Sequence, residues 1–425
     1  MTSNRKWALF LAAVVWLSVQ SMPASAAASG GSSDPKPIRI FAGQLIDGVG
    51  GSARNVLVTV VGSKIASVQP NGARKGADYV FDRMTLLPGL IDTHTHLDSH
   101  FGDDGKIVIK EPPAQRVLWA YQNAYENLMA GFTTLQTLTS PSVGGASGVP
   151  LRDAIGRGQI PGPRIVASVE LINEKSGTPE EIREKVRQQV AAGADIVKLF
   201  ASKSIREHGI QTMSDEQIAA ACQEAKALGK RTWVHAHSAE SVRAAALAGC
   251  DAIAHGAFAT EREFELMAQR GVFFEPEIWL GGANYMRNAK RFMGESNWTA
   301  EGFKLQEEAI AIKLKMFKNA IKHKNLKIAF GTDAIAGAHG QLGEEIVYRV
   351  KTAGQPPMDA IVQATSVPAD ALGLKHLVGA VRPGMEADLI AVEGDPLKNI
   401  DALTRVAFVM KGGTVYKHIL GAQKS

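Results

Sequence analysis

Between Leu86 and Asp333 the chain passes through eight short apolar segments, each followed by a helix-like stretch. The strand-like pieces are 86–92, 133–138, 164–168, 196–200, 231–235, 252–255, 272–276 and 327–332. Among the helical stretches, 179–192 carries acids at its start. Another, 214–228, opens on the capping box Ser214-Asp215-Glu216-Gln217, and Gly193 and Gly229 stand where helices should stop. Strands alternating with helices imply a parallel sheet, and eight such units imply an α/β fold of the (β/α)8 TIM-barrel type. An open doubly wound sheet is the alternative, but the first strand lacks a glycine-rich phosphate turn after it.

Five of the eight strands end in, or carry near their end, a residue able to bind a metal ion. His94 and His96 close the first strand and, two residues apart, point to one face. His235 and His255 close the fifth and sixth strands, and Asp333 closes the eighth. His237 shares a face with His235, so parity leaves the choice between them open. Barrel enzymes place their chemistry at the C-terminal strand rim, where all of these would meet. Lys198 lies inside the apolar stretch 196–200. Burial would lower its pKa and free an amine for capture of carbon dioxide; a snorkelling lysine or a buried ion pair is the structural alternative. Asp333 can serve both as a metal ligand and as the base that accepts a proton from an attacking water.

The two ends of the chain read differently. Residues 37–70 show short antiparallel strands with a Gly62-Ser63 turn, and a similar texture returns in 387–417. The expectation is a small β-sandwich built from 37–85 and 380–420, flanking a barrel over 86–379. The first 26 residues read as a signal peptide: Arg5 and Lys6, an apolar run from Trp7 to Val19, then Ala24-Ser25-Ala26. The expected mature protein is exported to the periplasm or medium, with no stable membrane insertion.

Removing Arg5 and Lys6 with that leader lowers the formal charge from +5 to +3. With basic residues spread among acids, no nucleic-acid partner is indicated. The densest basic run, from Lys313 to Lys327, reads as the solvated face of a helix, and the glycine- and aromatic-rich piece 280–300 as either a cover over the site or a surface excursion. Cys222 and Cys250 are the only cysteines. One disulfide is open to them, two buried thiols is the preferred reading, and a cysteine-rich zinc cage is excluded.

Several stretches together resemble the amidohydrolase superfamily, in its imidazolonepropionase-like and Xaa-Pro dipeptidase-like branch. They are Leu87-Pro88-Gly89-Leu90-Ile91-Asp92-Thr93-His94-Thr95-His96, Gly193-Ala194-Asp195-Ile196-Val197-Lys198, Val234-His235-Ala236-His237, Ala254-His255-Gly256, Gly331-Thr332-Asp333-Ala334 and Pro383-Gly384-Met385-Glu386-Ala387-Asp388. The resemblance implies two divalent ions, usually zinc, bridged by a carboxylated Lys198 and a hydroxide. His94, His96 and Asp333 would hold one ion and His235 and His255 the other, with His235 preferred to His237. His237 and His339 become candidate substrate-binding groups. The chain departs from that family's pattern at Leu135-Gln136-Thr137, where relatives carry an Arg-Asp pair, in the short connection after strand three, and at His237, where Tyr is usual. The expected activity is hydrolysis of a C–N amide bond in a small molecule, a dipeptide or N-acyl amino acid. A cyclic amide or lactone hydrolase and a non-catalytic binding barrel are the alternatives, and a homo-oligomer is compatible with either.

Overall fold

The structure, a computed structural model, describes residues 35–139 and 147–419. The leader expected over residues 1–26 lies outside the described residues.

Four N-terminal strands, β1 (Ile38–Ile46), β2 (Ser52–Val61), β3 (Lys64–Pro70) and β4 (Tyr79–Pro88), begin one sheet. In β2 the alternation is plain: Val56, Val58 and Val60 are fully buried while the residues between them are more exposed. The middle of the chain supplies β5 (Leu90–Thr95), β6 (Phe132–Thr137), β7 (Arg164–Ala167), β8 (Leu171–Ile172), β9 (Ile196–Phe200), β10 (Arg231–Ala236), β11 (Ala252–His255), β12 (Phe273–Glu275) and β13 (Lys327–Ile328). Three C-terminal strands, β14 (Leu389–Glu393), β15 (Val406–Lys411) and β16 (Thr414–His418), return to the first sheet. That sheet has the order β16-β15-β14-β4-β1-β2-β3, with Leu389 opposite Pro88, so both chain ends share one hydrogen-bonded ladder of seven strands around Ile40, Phe81, Phe408 and Met410.

The strand expected at 86–92 is divided. Its first residues finish β4 in the end sheet, and β5 starts after Gly89. A Cβ at Gly89 would lie 2.1 Å from Thr133 Oγ1, so only glycine lets the chain pass from one sheet to the other against β6.

The middle strands run parallel in two ladders, β5-β6-β7 and β8-β9-β10-β11-β12-β13. Every residue of β5 and β6 is buried, as expected of strands covered on both faces. Hydrogen bonds cross both seams: Asp195 N to Ala167 O at 2.9 Å, and Thr93 N to Phe330 O at 3.0 Å with His96 N to Ala334 O at 2.8 Å. Helix Asp215–Ala227 begins in the expected capping box at Ser214, and helix Pro179–Ala191 begins in a second one at Thr178.

The sulfur atoms of Cys222 and Cys250 are bonded, which corrects the reading of two separate thiols. Helix Asp215–Ala227 and the turn after helix Ala239–Ala248 bring their Cα atoms to 5.1 Å, a proximity that spacing along the chain does not reveal. The piece 280–300 is a cover: helix Leu280–Arg287 and the turns after it pack Tyr285, Phe292, Trp298 and Phe303 into one aromatic cluster beside the strand ends.

Candidate functional site

The last turns of β5, β10 and β11 and the segment after β13 converge on a cavity of about 520 Å³. His94, His96, His235, His237, His255 and Asp333 all line it. That volume suits a small organic molecule.

The first strand is fixed by Asp92. Its Oδ1 accepts from His94 N at 2.9 Å and Thr332 N at 3.2 Å, and its Oδ2 accepts from Thr332 Oγ1 at 2.6 Å. One buried carboxylate thus pins the strand ends carrying His94 and Asp333 together. His94 Nδ1 meets Glu275 Oε2 at 2.7 Å, and His96 Nδ1 meets the Leu138 carbonyl at 2.7 Å. A carbonyl oxygen only accepts, so His96 Nδ1 carries a proton and Nε2 is the ring atom turned to the centre. That Nε2 lies 2.9 Å from Asp333 Oδ1, and His94 Nε2 lies 3.4 Å from the same oxygen. Two imidazole nitrogens thus face one carboxylate oxygen at distances that a shared proton or a metal cation accounts for.

A second group lies alongside. The ligand atoms of His235, His237 and His255 fall within 4.8 Å of one another, as do those of His255, Glu277 and Asp333. Phe200 stacks on His235 with centroids 4.2 Å apart, fixing that ring. Burial holds His94, His237 and His255 well below the ordinary histidine range and pulls His235 down to about 3, where the Lys198 charge adds to the effect. These imidazoles are therefore neutral, the form that ligates metal. At Asp333, burial acts to raise the pKa, but nearby positive charge and the hydrogen bond with His96 Nε2 hold the carboxyl well below the usual range.

Lys198 lies beneath, in β9, fully buried, with its Nζ lacking any hydrogen-bond partner among the described residues. Burial pulls its pKa down to about 8, against the charges of Asp333 and Glu275. His255, Glu277 and Asp333 adopt positive φ of 72°, 39° and 54°, conformations that non-glycine residues keep only where the surroundings enforce them.

Of the expected residues, His94, His96, Lys198, His235, His255 and Asp333 come together, with His237 in the same cluster. His339 does not join them. It is absent from the cavity wall and buried behind His96, with its Nδ1 3.2 Å from Asn127 Nδ2. The solvated face expected from Lys313 onward is corrected at its first residue: Lys313 is 5% exposed, lines the cavity and pairs with Glu277. Sequence reading missed Glu275, Glu277 and Arg206. The two glutamates had a signal, since Phe273-Phe274-Glu275-Pro276-Glu277 repeats at a strand end the two-residue spacing of His94 and His96.

Comparison with known proteins agrees with this geometry. The sequence profile of the amidohydrolase family matches residues 85–420. Ochratoxinase from Aspergillus niger is 28% identical over 428 aligned positions, covering 89% of this chain and 86% of that enzyme. Its crystal structure superposes with a TM-score of 0.76 at 24% identity, covering 90% of this chain and 96% of that one. A Xaa-Pro dipeptidase with methionine bound in its active site superposes at 0.81 with 29% identity, over 90% of this chain and all of that one. Divalent metal is general in the family, and no helix among the described residues is long and apolar enough to cross a membrane. The chain belongs to the amidohydrolase family, in its dipeptidase-like branch, and is a hydrolytic enzyme.

Proposed function

We propose that this enzyme is a metal-dependent amidohydrolase that cuts the C–N bond of a dipeptide or N-acyl amino acid. The observation that carries the reading is the gathering of the His94, His96, His235 and His255 imidazoles and the Asp333 carboxylate, with His96 Nε2 2.9 Å from its Oδ1, beside a buried lysine amine that has no hydrogen-bond partner among the described residues. Both features are accounted for if cations occupy the cluster and Lys198 carries a carboxylate. His94, His96 and Asp333 would hold one ion, His235 and His255 the other, and carboxylated Lys198 would lie between. In the same reading the middle strands form a single barrel around this centre, eight-stranded when the successive pieces β7 and β8 count as one, its ladders joined across the two seams.

Bound divalent ions, zinc by the chemistry of a nitrogen-and-oxygen donor set, supply Lewis acidity that acidifies water and polarises a carbonyl. Asp333, 22% exposed at the cavity floor, accepts the proton of the attacking water. It then returns that proton to the departing nitrogen, because an amine leaves poorly as an anion. Glu275 and the Leu138 carbonyl hold the His94 and His96 rings so that their Nε2 atoms face the centre. Export to an oxidising compartment is part of the proposal, supported by the leader-like first 26 residues and the Cys222–Cys250 bond.

The test is a panel of dipeptides and N-acyl amino acids, set against cyclic amides and lactones, with added zinc or manganese and bicarbonate. Amide cleavage should vanish on chelation, return on adding metal, and be absent from folded His94→Ala and Asp333→Ala proteins. Hydrolysis indifferent to chelator, or full rates in either variant, would end the proposal.

A further inference from the structure

The wall of the same cavity contains a cation that forms no ion pair with an acid among the described residues. Arg206 sits in the short turn Ile205–Glu207, where Ser204 Oγ accepts from its backbone N–H at 3.2 Å. Its guanidinium carbon lies 3.7 Å from the Trp298 ring centroid and 5.5 Å from that of Tyr285. Nε donates to Asn297 Oδ1 at 3.0 Å and Nη1 to Gln306 Oε1 at 3.2 Å. Both acceptors are neutral amides. A guanidinium has five N–H donors, so these bonds leave three free, all on Nη1 and Nη2, and Nη2 has no acceptor among the described residues.

The neighbouring charges do not fill that vacancy. Glu207 is engaged by Asn297 Nδ2 at 2.8 Å and by Lys203 at 3.5 Å, and Glu277 is engaged by Lys313. Lys175, the remaining cation on the cavity rim, is exposed. Arg206 is thus held rigidly by two amides and an aromatic face, stays charged, and presents an open fork to the space that Asp333 also lines. A fork of this kind matches the two oxygens of a carboxylate. In a dipeptide or N-acyl amino acid the free carboxylate belongs to the leaving amine.

We propose that Arg206 is the specificity-determining residue of this cavity: it seats the free carboxylate on the leaving side of the scissile amide, selecting anionic substrates over neutral amides, cyclic amides and lactones. The assignment rests on the amide-cleaving reading for its functional meaning, yet it is tested by binding alone. Phe200, Ile205, Ile335 and Tyr285 supply apolar wall, so the probe carries an apolar side chain.

Calorimetric titration of the metal-loaded enzyme with N-benzoyl-L-leucine and N-benzoyl-L-leucinamide should show the acid binding about 10- to 100-fold tighter, the ratio expected of charge-assisted hydrogen bonds to a carboxylate. Arg206→Met should bring the ratio to about one, and Arg206→Lys should leave an intermediate value. Gln306→Glu, which places an internal carboxylate against the fork, should also collapse it. Equal affinities for acid and amide in the wild-type enzyme overturn the assignment without any variant. An unchanged ratio in folded Arg206→Met does so too. A preserved preference for the acid with no hydrolysis of either probe or of the dipeptide panel would sink the amide-cleaving reading and leave the carboxylate seat standing.

Discussion

Replacing Cys222 and Cys250 by alanine tests the disulfide and the placement of two site-bearing strands together. The bond joins positions 28 residues apart, tying helix Asp215–Ala227, which precedes β10, to the turn that precedes β11. In the chain-entropy treatment a loop of that size removes ~12 cal/mol/K from the unfolded state, or ~3.6 kcal/mol at 25 °C. Spread over the about 390 residues of the compact unit that begins at Lys36, an unfolding entropy near 2.1 cal/mol/K per residue converts this into a fall of ~4 °C in Tm. Calorimetry of the metal-loaded protein checks the shift, and the two single variants check its origin. Either alanine breaks the bond, so each single variant should lose about as much as the double, a strongly non-additive pattern. Cys222 lies within the helix before β10 and Cys250 just ahead of β11, whereas His235 and His255 stand at the far ends of those strands, so kcat at 25 °C should not change. Losses in the double variant equal to the sum of the singles would show two independent buried thiols and refute the cross-link.

The remaining predictions concern the site. A Cβ at Gly331 would lie 2.5 Å from Glu275 Cδ, so Gly331→Ala should push that carboxylate off His94 Nδ1 and weaken metal affinity about 10- to 100-fold, as read by chelator competition; unchanged affinity would show that Glu275 does not orient the ring. Exposure to 13C-bicarbonate should give a carbamate carbon resonance in the wild-type protein that is missing in Lys198→Arg, and its absence from both would remove the proposed bridge. His339, pulled down to about 3 by burial, stays neutral in the fold while the unfolded chain gains a proton below its ordinary pKa of about 6.5. The unfolded state therefore binds more protons across that window, and stability falls as pH drops from about 6.5 toward 3. His339→Gln should flatten that acid limb in metal-free protein, measured by denaturant midpoints from pH 6 to 4, whereas an unaltered slope would mean the ring is protonated in the native state.

What could be read from the sequence was whatever strand geometry dictates. His94, His96, His235, His255 and Asp333 stand where apolar strands end, and a parallel sheet gathers such ends at one rim. The same rule applied to β12 would have produced Glu275 and Glu277, but short apolar strands followed by Glu-Pro read as ordinary turns. Lys313, Arg206 and His339 lie on a helix, in a turn and in a loop, where no alternation fixes direction. Lys313 is paired with Glu277, Arg206 is held by Asn297 and Gln306, and His339 meets Asn127, contacts spanning 36 to 212 positions along the chain.

The backbone at the site carries the clearest reason why local pattern stops short of function. His255, Glu277 and Asp333 hold positive φ, each at a cost of ~1–3 kcal/mol that no propensity would choose. The strain persists because the flanking residues cannot relax. Ala254, Ala334 and Ile278 are almost wholly buried, and the carboxylate of Glu345, itself bonded to Arg349, accepts the backbone N–H groups of Ile278, Trp279 and Leu280 at 2.8–2.9 Å. Three independent strand ends are thus bent so that His255, Glu277 and Asp333 aim at one point, where their ligand atoms fall within 4.8 Å. Stability alone gives no reason for that convergence, whereas a bound cation gives one directly, because its binding energy is available only to the bent conformation.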